Sequence, residues 1–205
     1  QAPEPLLVTE NGVQFATYLN EGLMTGIFLD QKEVRGRLVD GFAVGKTVLN
    51  MFSYTGAFSV AAAMGGAVAT TSVDLAKRSL PKTTEQFEVN HLNLAPQKII
   101  VMDVFDYFKY ASRKGLSYDM IILDPPSFAR NKKKVFSVAK NYGELVKDSI
   151  DILTDKGTLI ASTNAANLSL AKYQKMVITA LQEKNVRYKI TDTYQLPADF
   201  PVYRN

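Results

Sequence analysis

The chain contains no cysteine. Disulfides, thiolate metal sites and a cysteine nucleophile are thereby excluded within it, and the composition suits a reducing compartment, so a cytoplasmic protein is expected. There is one histidine, His91, which argues against a histidine-based zinc site or a Ser-His-Asp triad, and no metal is expected. A lone histidine near a helix end reads as a surface or capping residue. No apolar run reaches the roughly 18 residues of a transmembrane helix, so no membrane partner is expected. The opening QAPEPLLVTENG has neither the basic region nor the apolar stretch of a signal peptide, and its proline-rich start reads as a linker or a boundary. The nucleotide-binding fingerprint GxGxxG is absent, as are internal repeats and low-complexity segments.

What is present is 205 residues with 46% hydrophobic content, enough for one sizeable core. The formal charge of +4 and the pI near 9.1 are a mild basic bias, compatible with a nucleic-acid partner and with many ordinary enzymes. Residues 6–19, LLVTENGVQFATYL, read as a β-hairpin, because Asn11-Gly12 supplies the positive φ angles of a type I′ turn. In IFLDQKEVRGRLVDGF, Asp30 is the expected N-cap of a helix ending near Gly41, with Val34 and Leu38 as its core stripe. The organisation expected is a hairpin and linker over 1–29 and one larger domain over 30–205.

From residue 47 the pattern alternates strand and helix. TVLNMF, AVATTSVD, KIIVMD, YDMIILD, GTLIAST and VRYKITDTYQL read as strands, and amphipathic or alanine-rich stretches lie between them. Pro81 marks a first turn or a kink in the helix spanning about Leu75 to Asn90. Continuous apolar strands alternating with helices predict an α/β fold, Rossmann-like and doubly wound, with a mostly parallel sheet. Ligands in such sheets bind at the carboxyl ends of the strands, where strand order reverses. Three strands end on an acid: Asp74, Asp103 and Asp124.

A fourth strand runs into NMFSYTG, a short polar loop with Gly56 opening the next helix. Such a loop lets a ligand approach the backbone and the helix N-terminus. It offers less clearance than a pyrophosphate needs, which disfavours a dinucleotide. Asp74 stands 18 residues after Gly56, a spacing that suits an acid accepting bonds from ribose hydroxyls. Asp103 can accept from an exocyclic adenine amine while Val104 packs on the ring. Each acid alone reads equally as a helix N-cap. Three together, on consecutive strand ends, trace a nucleoside followed by a reaction site.

The set NMFSYTGAFS, VDLAKR, VMDVF and LDPPSF resembles the class I S-adenosylmethionine-dependent methyltransferases. More closely it resembles bacterial 23S ribosomal RNA methyltransferases that modify cytosine C5 or guanine N7, and GIFLDQKEVRGRL is similar to the motif that precedes their cofactor loop. The resemblance covers nearly the whole chain. It implies S-adenosyl-L-methionine as cofactor and RNA, 23S rRNA in particular, as partner. It also implies that Asn50, Phe52, Tyr54, Thr55 and Gly56 face the methionine part, that Asp74 with Leu75 contacts the ribose, and that Asp103 with Val104 contacts the adenine. Arg35 is a candidate for the methionine carboxylate.

Asp124, Pro125 and Phe128 are the expected substrate side. Each proline of LDPPSF holds φ near ~−65° and restricts the residue before it, so acceptors after the strand point in set directions. A carboxylate and a fixed carbonyl match an N–H edge of a base. Phe128 can stack on the base face, an interaction worth ~1–3 kcal/mol in single-strand binders. Arg130, Lys132, Lys133 and Lys134 are a candidate phosphate-contacting patch or a solvated loop. Enzymes that methylate cytosine C5 of RNA first attack C6 with a thiolate. In the relatives that do so the cysteine lies at the strand end corresponding to Ser162, Thr163 and Asn164, with Thr163 in its place here. A ring or exocyclic nitrogen is therefore the expected acceptor. DNA or a protein amine is the alternative substrate, and a non-catalytic RNA-binding module of the same fold is a rival from another class. The relatives also lead to an expectation that this chain is either a fragment, lacking an RNA-binding domain and a last antiparallel strand, or a natural chain shorter than they are.

Overall fold

The computed structural model describes residues 3–22, 25–130 and 135–200. Its strands are β1 (Leu6–Glu10), β2 (Val13–Thr17), β3 (Thr47–Met51), β4 (Ala69–Asp74), β5 (Gln97–Val101), β6 (Tyr118–Leu123), β7 (Phe128–Arg130), β8 (Val135–Ser137) and β9 (Leu153–Ala161). Its α-helices are α1 (Lys32–Arg37), α2 (Ala57–Met64), α3 (Ser79–Glu88), α4 (Val104–Arg113), α5 (Val138–Ile152) and α6 (Leu170–Glu183).

The apolar strand runs fix the centre. Strands β3 to β6 and β9 form one parallel sheet in the order β5-β4-β3-β6-β9. Alternate side chains of a strand point to opposite faces, and both faces are covered here. Leu49, Met51, Ile121 and Leu123 enter the cluster built with α4 and α5. Val48, Met120 and Ile122 enter the cluster built with α1 and α2. All seven are fully buried, which is why these strands read as unbroken hydrophobic runs. The mostly parallel, doubly wound α/β fold expected from the alternation is present, with the N-terminal hairpin beside it.

In that hairpin Asn11 and Gly12 take φ of 52° and 76°, the left-handed pair that a two-residue type I′ turn requires. The buried face of β2 carries Val13 and Phe15, which share an apolar cluster with Val60 of α2 and Phe87 of α3. Side-chain amides stitch the outer edge of β2 to α3. Gln86 accepts from the Ala16 N–H and donates to its carbonyl, both at 2.8 Å. Asn90, just beyond α3, treats Gln14 the same way at 2.8 and 2.7 Å.

Several expectations are met locally and some are corrected. Pro81 is the third residue of α3, in its first turn, where its missing N–H breaks no helical bond. His91 lies exposed in the turn after α3. Val34 and Leu38 are buried as the core stripe predicts. Asp30, in contrast, caps no α-helix: it lies inside a short 3₁₀ turn, Leu29–Gln31, that begins after Phe28 without a side-chain cap. Residues 186–196 form no strand. Their Tyr188, Ile190 and Leu196 are exposed, and the segment pairs with none of the described strands. Ion pairs hold this segment and the turn beyond it to α1 instead, Arg37 with Asp192 at 3.2 Å and Lys32 with Asp199. The small hairpin β7–β8 was not expected. Its strands have three residues each, too short for periodicity to register.

Replacing Gln86 by leucine keeps the volume but strands the N–H and C=O of Ala16 in a buried site. At ~1–3 kcal/mol per buried unsatisfied group, Gln86→Leu is expected to lower the unfolding free energy by about 2–4 kcal/mol. Urea denaturation checks this, and an unchanged midpoint would show that the amide does not hold the hairpin.

Candidate active site

Parallel strands deliver their carboxyl ends to one edge of the sheet, and β3 lies between β4 and β6, where the order of strands reverses. A cavity of about 400 Å³ opens at that edge. Its floor is the loop after β3. Phe52, Tyr54 and Gly56 there take φ of 58°, 54° and 78°. Left-handed backbone at two aromatic residues costs on the order of 1–3 kcal/mol each and persists only where the surroundings impose it. They do so through a set of bonds. Ser53 N–H donates to Val73 O at 3.0 Å and Gly56 N–H to Ser53 O at 2.7 Å. Tyr54 N–H donates to Asp74 Oδ2 at 2.9 Å. The Tyr54 hydroxyl accepts from Gly26 N–H at 3.0 Å, and the Thr55 hydroxyl donates to Gly26 O at 2.5 Å. A Cβ on Gly56 would come within 2.4 Å of Thr83 Cγ2, so glycine is demanded by both conformation and space.

Phe52, Tyr54 and Thr55 line the cavity, and Gly56 begins α2 beside them. Asn50 does not line it. It is fully buried on β3, donating toward α2 to Ser59 Oγ at 3.0 Å, with Ser59 and Ser72 hydroxyls 2.7 Å apart beyond it. Its Oδ1 has no partner in the structure.

The strand-end acids face the same cavity. Asp74 accepts on both oxygens, from Tyr54 N–H on one and from Ala76 N–H at 2.9 Å on the other. The expected alternative of a helix cap is not realised there, since α3 starts later, after Arg78. Asp103 does cap a helix: its Oδ1 accepts from Phe105 and Asp106 N–H at 2.9 and 3.2 Å at the start of α4. Leu75, Val104 and Phe105 supply apolar wall next to these acids.

Asp124 follows β6. Its Oδ1 accepts from the Ser162 hydroxyl at 2.6 Å and from the Gln31 amide at 3.3 Å. Burial pushes its carboxyl up from the ordinary value of 3.8, aided by the nearby Asp30 carboxylate and opposed by the Ser162 bond and by Arg35. Ser162 is itself held from behind, its carbonyl accepting from Tyr142 at 2.7 Å, and Tyr142 accepts from Tyr173 at 3.0 Å. Pro125 and Pro126 continue the cavity wall. Phe128 does not: it is 60% exposed at the start of β7, and the rings that reach the cavity from this side are Phe136 and Phe105, 5.8 Å apart.

Arg35 also borders the cavity, yet its side chain is only 2% exposed. Nε and Nη2 donate to the two carboxylate oxygens of Glu10 at 2.6 and 2.8 Å, and Nη2 also reaches Phe28 O at 2.8 Å. Phe15 and Phe58 rings sit 5.9 and 5.8 Å from its guanidinium. A ligand carboxylate would compete with Glu10 for this group. Lys132, Lys133 and Lys134 of the basic cluster lie outside the described residues, and of Arg130 only its backbone place at the end of β7 is described. Lining residues that the sequence did not assign to the site include Asp30, read there only as a helix cap, Arg78 and Phe136. Arg78 belongs to the VDLAKR motif, whereas Phe136 comes from a hairpin with no sequence signal.

A parallel sheet, a cleft at its switch point and acids on three consecutive strand ends make an α/β protein whose cleft suits a nucleoside. The fit to the nucleoside half of S-adenosylmethionine is good: carboxylate acceptors for hydroxyls and an amine, an apolar wall for a ring, and a strained loop held open at the other end. The profile of the S-adenosylmethionine-dependent methyltransferases matches residues 2–201, and the chain belongs to that family. It is 57% identical over 96% of its length to a Bacillus subtilis protein carrying the provisional name ribosomal RNA large subunit methyltransferase YwbD, of which the match covers 50%. It is 34% identical to the ribosomal RNA large subunit methyltransferase K of Neisseria meningitidis, over 98% of this chain and 54% of that protein. Among solved structures, SMU.776, provisionally described as a methyltransferase and complexed with SAH, superposes with a TM-score of 0.95 at 56% identity, covering 99% of this chain and 53% of that one. The chain thus spans about half the length of the relatives it matches. The cofactor of the family is S-adenosyl-L-methionine.

A carboxyl raised by burial makes the ionised form of Asp124 a cost to the folded state. Its contribution to stability is fully present below the ordinary value of 3.8 and is lost as pH rises through the raised folded value. Asp124→Asn removes that loss. The variant is expected to melt higher than the wild type at neutral pH, with a gain that shrinks as pH falls through the raised folded value toward 3.8. A gain independent of pH would contradict the assignment.

Proposed function

We propose that this chain is the catalytic part of an S-adenosylmethionine-dependent methyltransferase acting on a base of large-subunit ribosomal RNA, at a ring or exocyclic nitrogen. The observation that carries the proposal is the Asp124-Pro125-Pro126 turn, fixed at the end of a cleft whose other strand-end acids suit a nucleoside. The names of the relatives support RNA of the large subunit, and 23S rRNA is the proposed partner.

S-adenosylmethionine supplies an electrophilic methyl group on a sulfonium. Asp74 accepts from the ribose hydroxyls while its backbone bonds keep it aimed, and Asp103 accepts from the adenine amine, with Leu75, Val104 and Phe105 packing against the ring. Phe52, Tyr54, Thr55 and Gly56 face the methionine end. Arg35 adds positive charge near the methionine carboxylate, while its bonds to Glu10 give it a second part as a tether. Asn50, buried below the loop, supports the floor rather than contacting the ligand. Asp124 and the carbonyls set by Pro125 and Pro126 hold the N–H edge of a base, and burial and rigidity make this positioning effective. Phe128, exposed and outside the cavity lining, is left without a part in holding the base, and Phe136 and Phe105 are the rings on that side. A base inside a duplex has to be unpaired first.

Nitrogen is favoured over cytosine C5 because the strand-end position that holds a nucleophilic cysteine in C5-modifying relatives carries Thr163. That hydroxyl accepts from Ala165 N–H at 3.1 Å, closing its own turn. Residues 1–29 are proposed as a hairpin and linker that brace the methyltransferase domain of 30–205. DNA or a protein amine is a less favoured substrate, since nothing in the cleft prefers either.

Calorimetry with S-adenosylmethionine and tritium transfer to ribosomal RNA, followed by nucleoside mapping, test this reading. Asp74→Asn is expected to weaken cofactor binding about 10- to 100-fold, the worth of a charge-assisted hydrogen bond of ~1.5–3 kcal/mol. Failure of the folded protein to bind the cofactor would sink the assignment.

A further inference from the structure

Two loops form the acceptor end of the cleft, and they are latched to one another at both ends. One follows β6 and carries Asp124 and Ser127. The other follows β9 and carries Ser162 and Asn164. Ser162 N–H donates to Leu123 O at 2.9 Å, and its hydroxyl donates to Asp124 Oδ1 at 2.6 Å. At the other end the Ser127 hydroxyl donates to Asn164 Oδ1 at 2.9 Å. Asp124 and Asn164 both line the cavity.

These bonds sort the polar atoms. Ser162 and Gln31 converge on one oxygen of Asp124, which leaves Oδ2 as the acceptor to offer a ligand. An amide whose oxygen already accepts from a hydroxyl has its nitrogen to give, so Asn164 is set as a donor. The Ser127 bond holds the amide in that orientation, with the serine hydroxyl as donor.

We propose that Asn164 is a specificity-determining residue for the methyl acceptor, pairing with Asp124 to read a base edge on which a hydrogen-bond acceptor stands beside a donor. This rests on the reading of the site as a base-methylating one. The Watson–Crick edges of all four bases carry that pattern, whereas the O6/N7 edge of guanine, with two adjacent acceptors, does not. Asp124 takes the N–H and Asn164 donates to the neighbouring oxygen or ring nitrogen. Ser127 is a positioning residue, acting only through Asn164.

The test uses the full chain, ribosomal RNA lacking the methyl group, and labelled S-adenosylmethionine, with cofactor affinity measured separately by calorimetry. Asn164→Ala is expected to lower kcat/KM for RNA about 10- to 100-fold, with the cofactor Kd changed less than about twofold. Asn164→Asp, nearly isosteric, lowers kcat/KM further because it sets a second acceptor beside Asp124. Ser127→Ala loses roughly 3- to 10-fold and Ser127→Thr restores activity, since only the hydroxyl is needed. Asn164→Asp acting like wild type, or losing cofactor affinity in step with activity, overturns the proposal alone. A wild-type protein that binds the cofactor but transfers no methyl to RNA overturns the reading beneath it.

Discussion

The position of β3 between β4 and β6 is the constraint on which the site depends. Its registers with both neighbours are parallel and unshifted, so Met51 lies opposite Val73 on one side and Leu123 on the other. The residues after these three stand side by side at one edge. Asp74, the β3 loop and Asp124 therefore meet without any long side chain having to reach. The loop's left-handed residues depend on the same alignment, since Ser53 and Tyr54 bond to Val73 and Asp74. Slipping one strand by a residue would send core side chains to the wrong face and remove the loop's acceptors together.

Arg35 and Glu10 connect this centre to the hairpin. A buried ion pair adds little net stability over well-packed apolar groups, but removing one partner leaves a charge unpaired and costs ~3–5 kcal/mol. The pair acts as a register pin. With both acid oxygens engaged, the hairpin has one docking geometry on α1, and the aromatic rings of Phe15 and Phe58 flank the same guanidinium. The 3₁₀ turn before α1 is fixed by the arginine's bond to Phe28 O, and Gln31 in that turn reaches Asp124. A contact far from the sheet thus helps orient the acid at its edge.

Much of this was legible in the sequence where a pattern repeats or a residue type is forced. Apolar runs, Val48–Met51 broken only by Asn50 and Met120–Leu123 unbroken, declare a sheet covered on both faces, and Asn11-Gly12 declares its turn. The strand-end acids were legible as a set, because three in succession exceed what capping needs. Where side chains cooperate across distant loops, the sequence carried no sign. Ser162 is an ordinary serine until it is seen bonded to Asp124, 38 residues away in the chain. Phe128 read as the cleft ring because it comes just after the prolines, but the short β7–β8 hairpin turns it outward and brings Phe136 in. Arg35 read as a ligand group because nothing local revealed Glu10, 25 residues earlier, as its partner. Residues 186–196 have strand composition, yet a strand is defined by its neighbour, which composition does not describe.

The amides that dock the hairpin have a consequence beyond docking. An exposed strand edge is a row of unpaired donors and acceptors, and such rows recruit other chains. On the outward edge of β2, Gln14 and Ala16 already have both backbone groups engaged by Asn90 and Gln86. One side chain of α3 and one from the turn after it thus imitate the neighbouring strand that the hairpin lacks. At these positions the β2 edge is closed to a further strand, so on that side the hairpin presents no template for self-association.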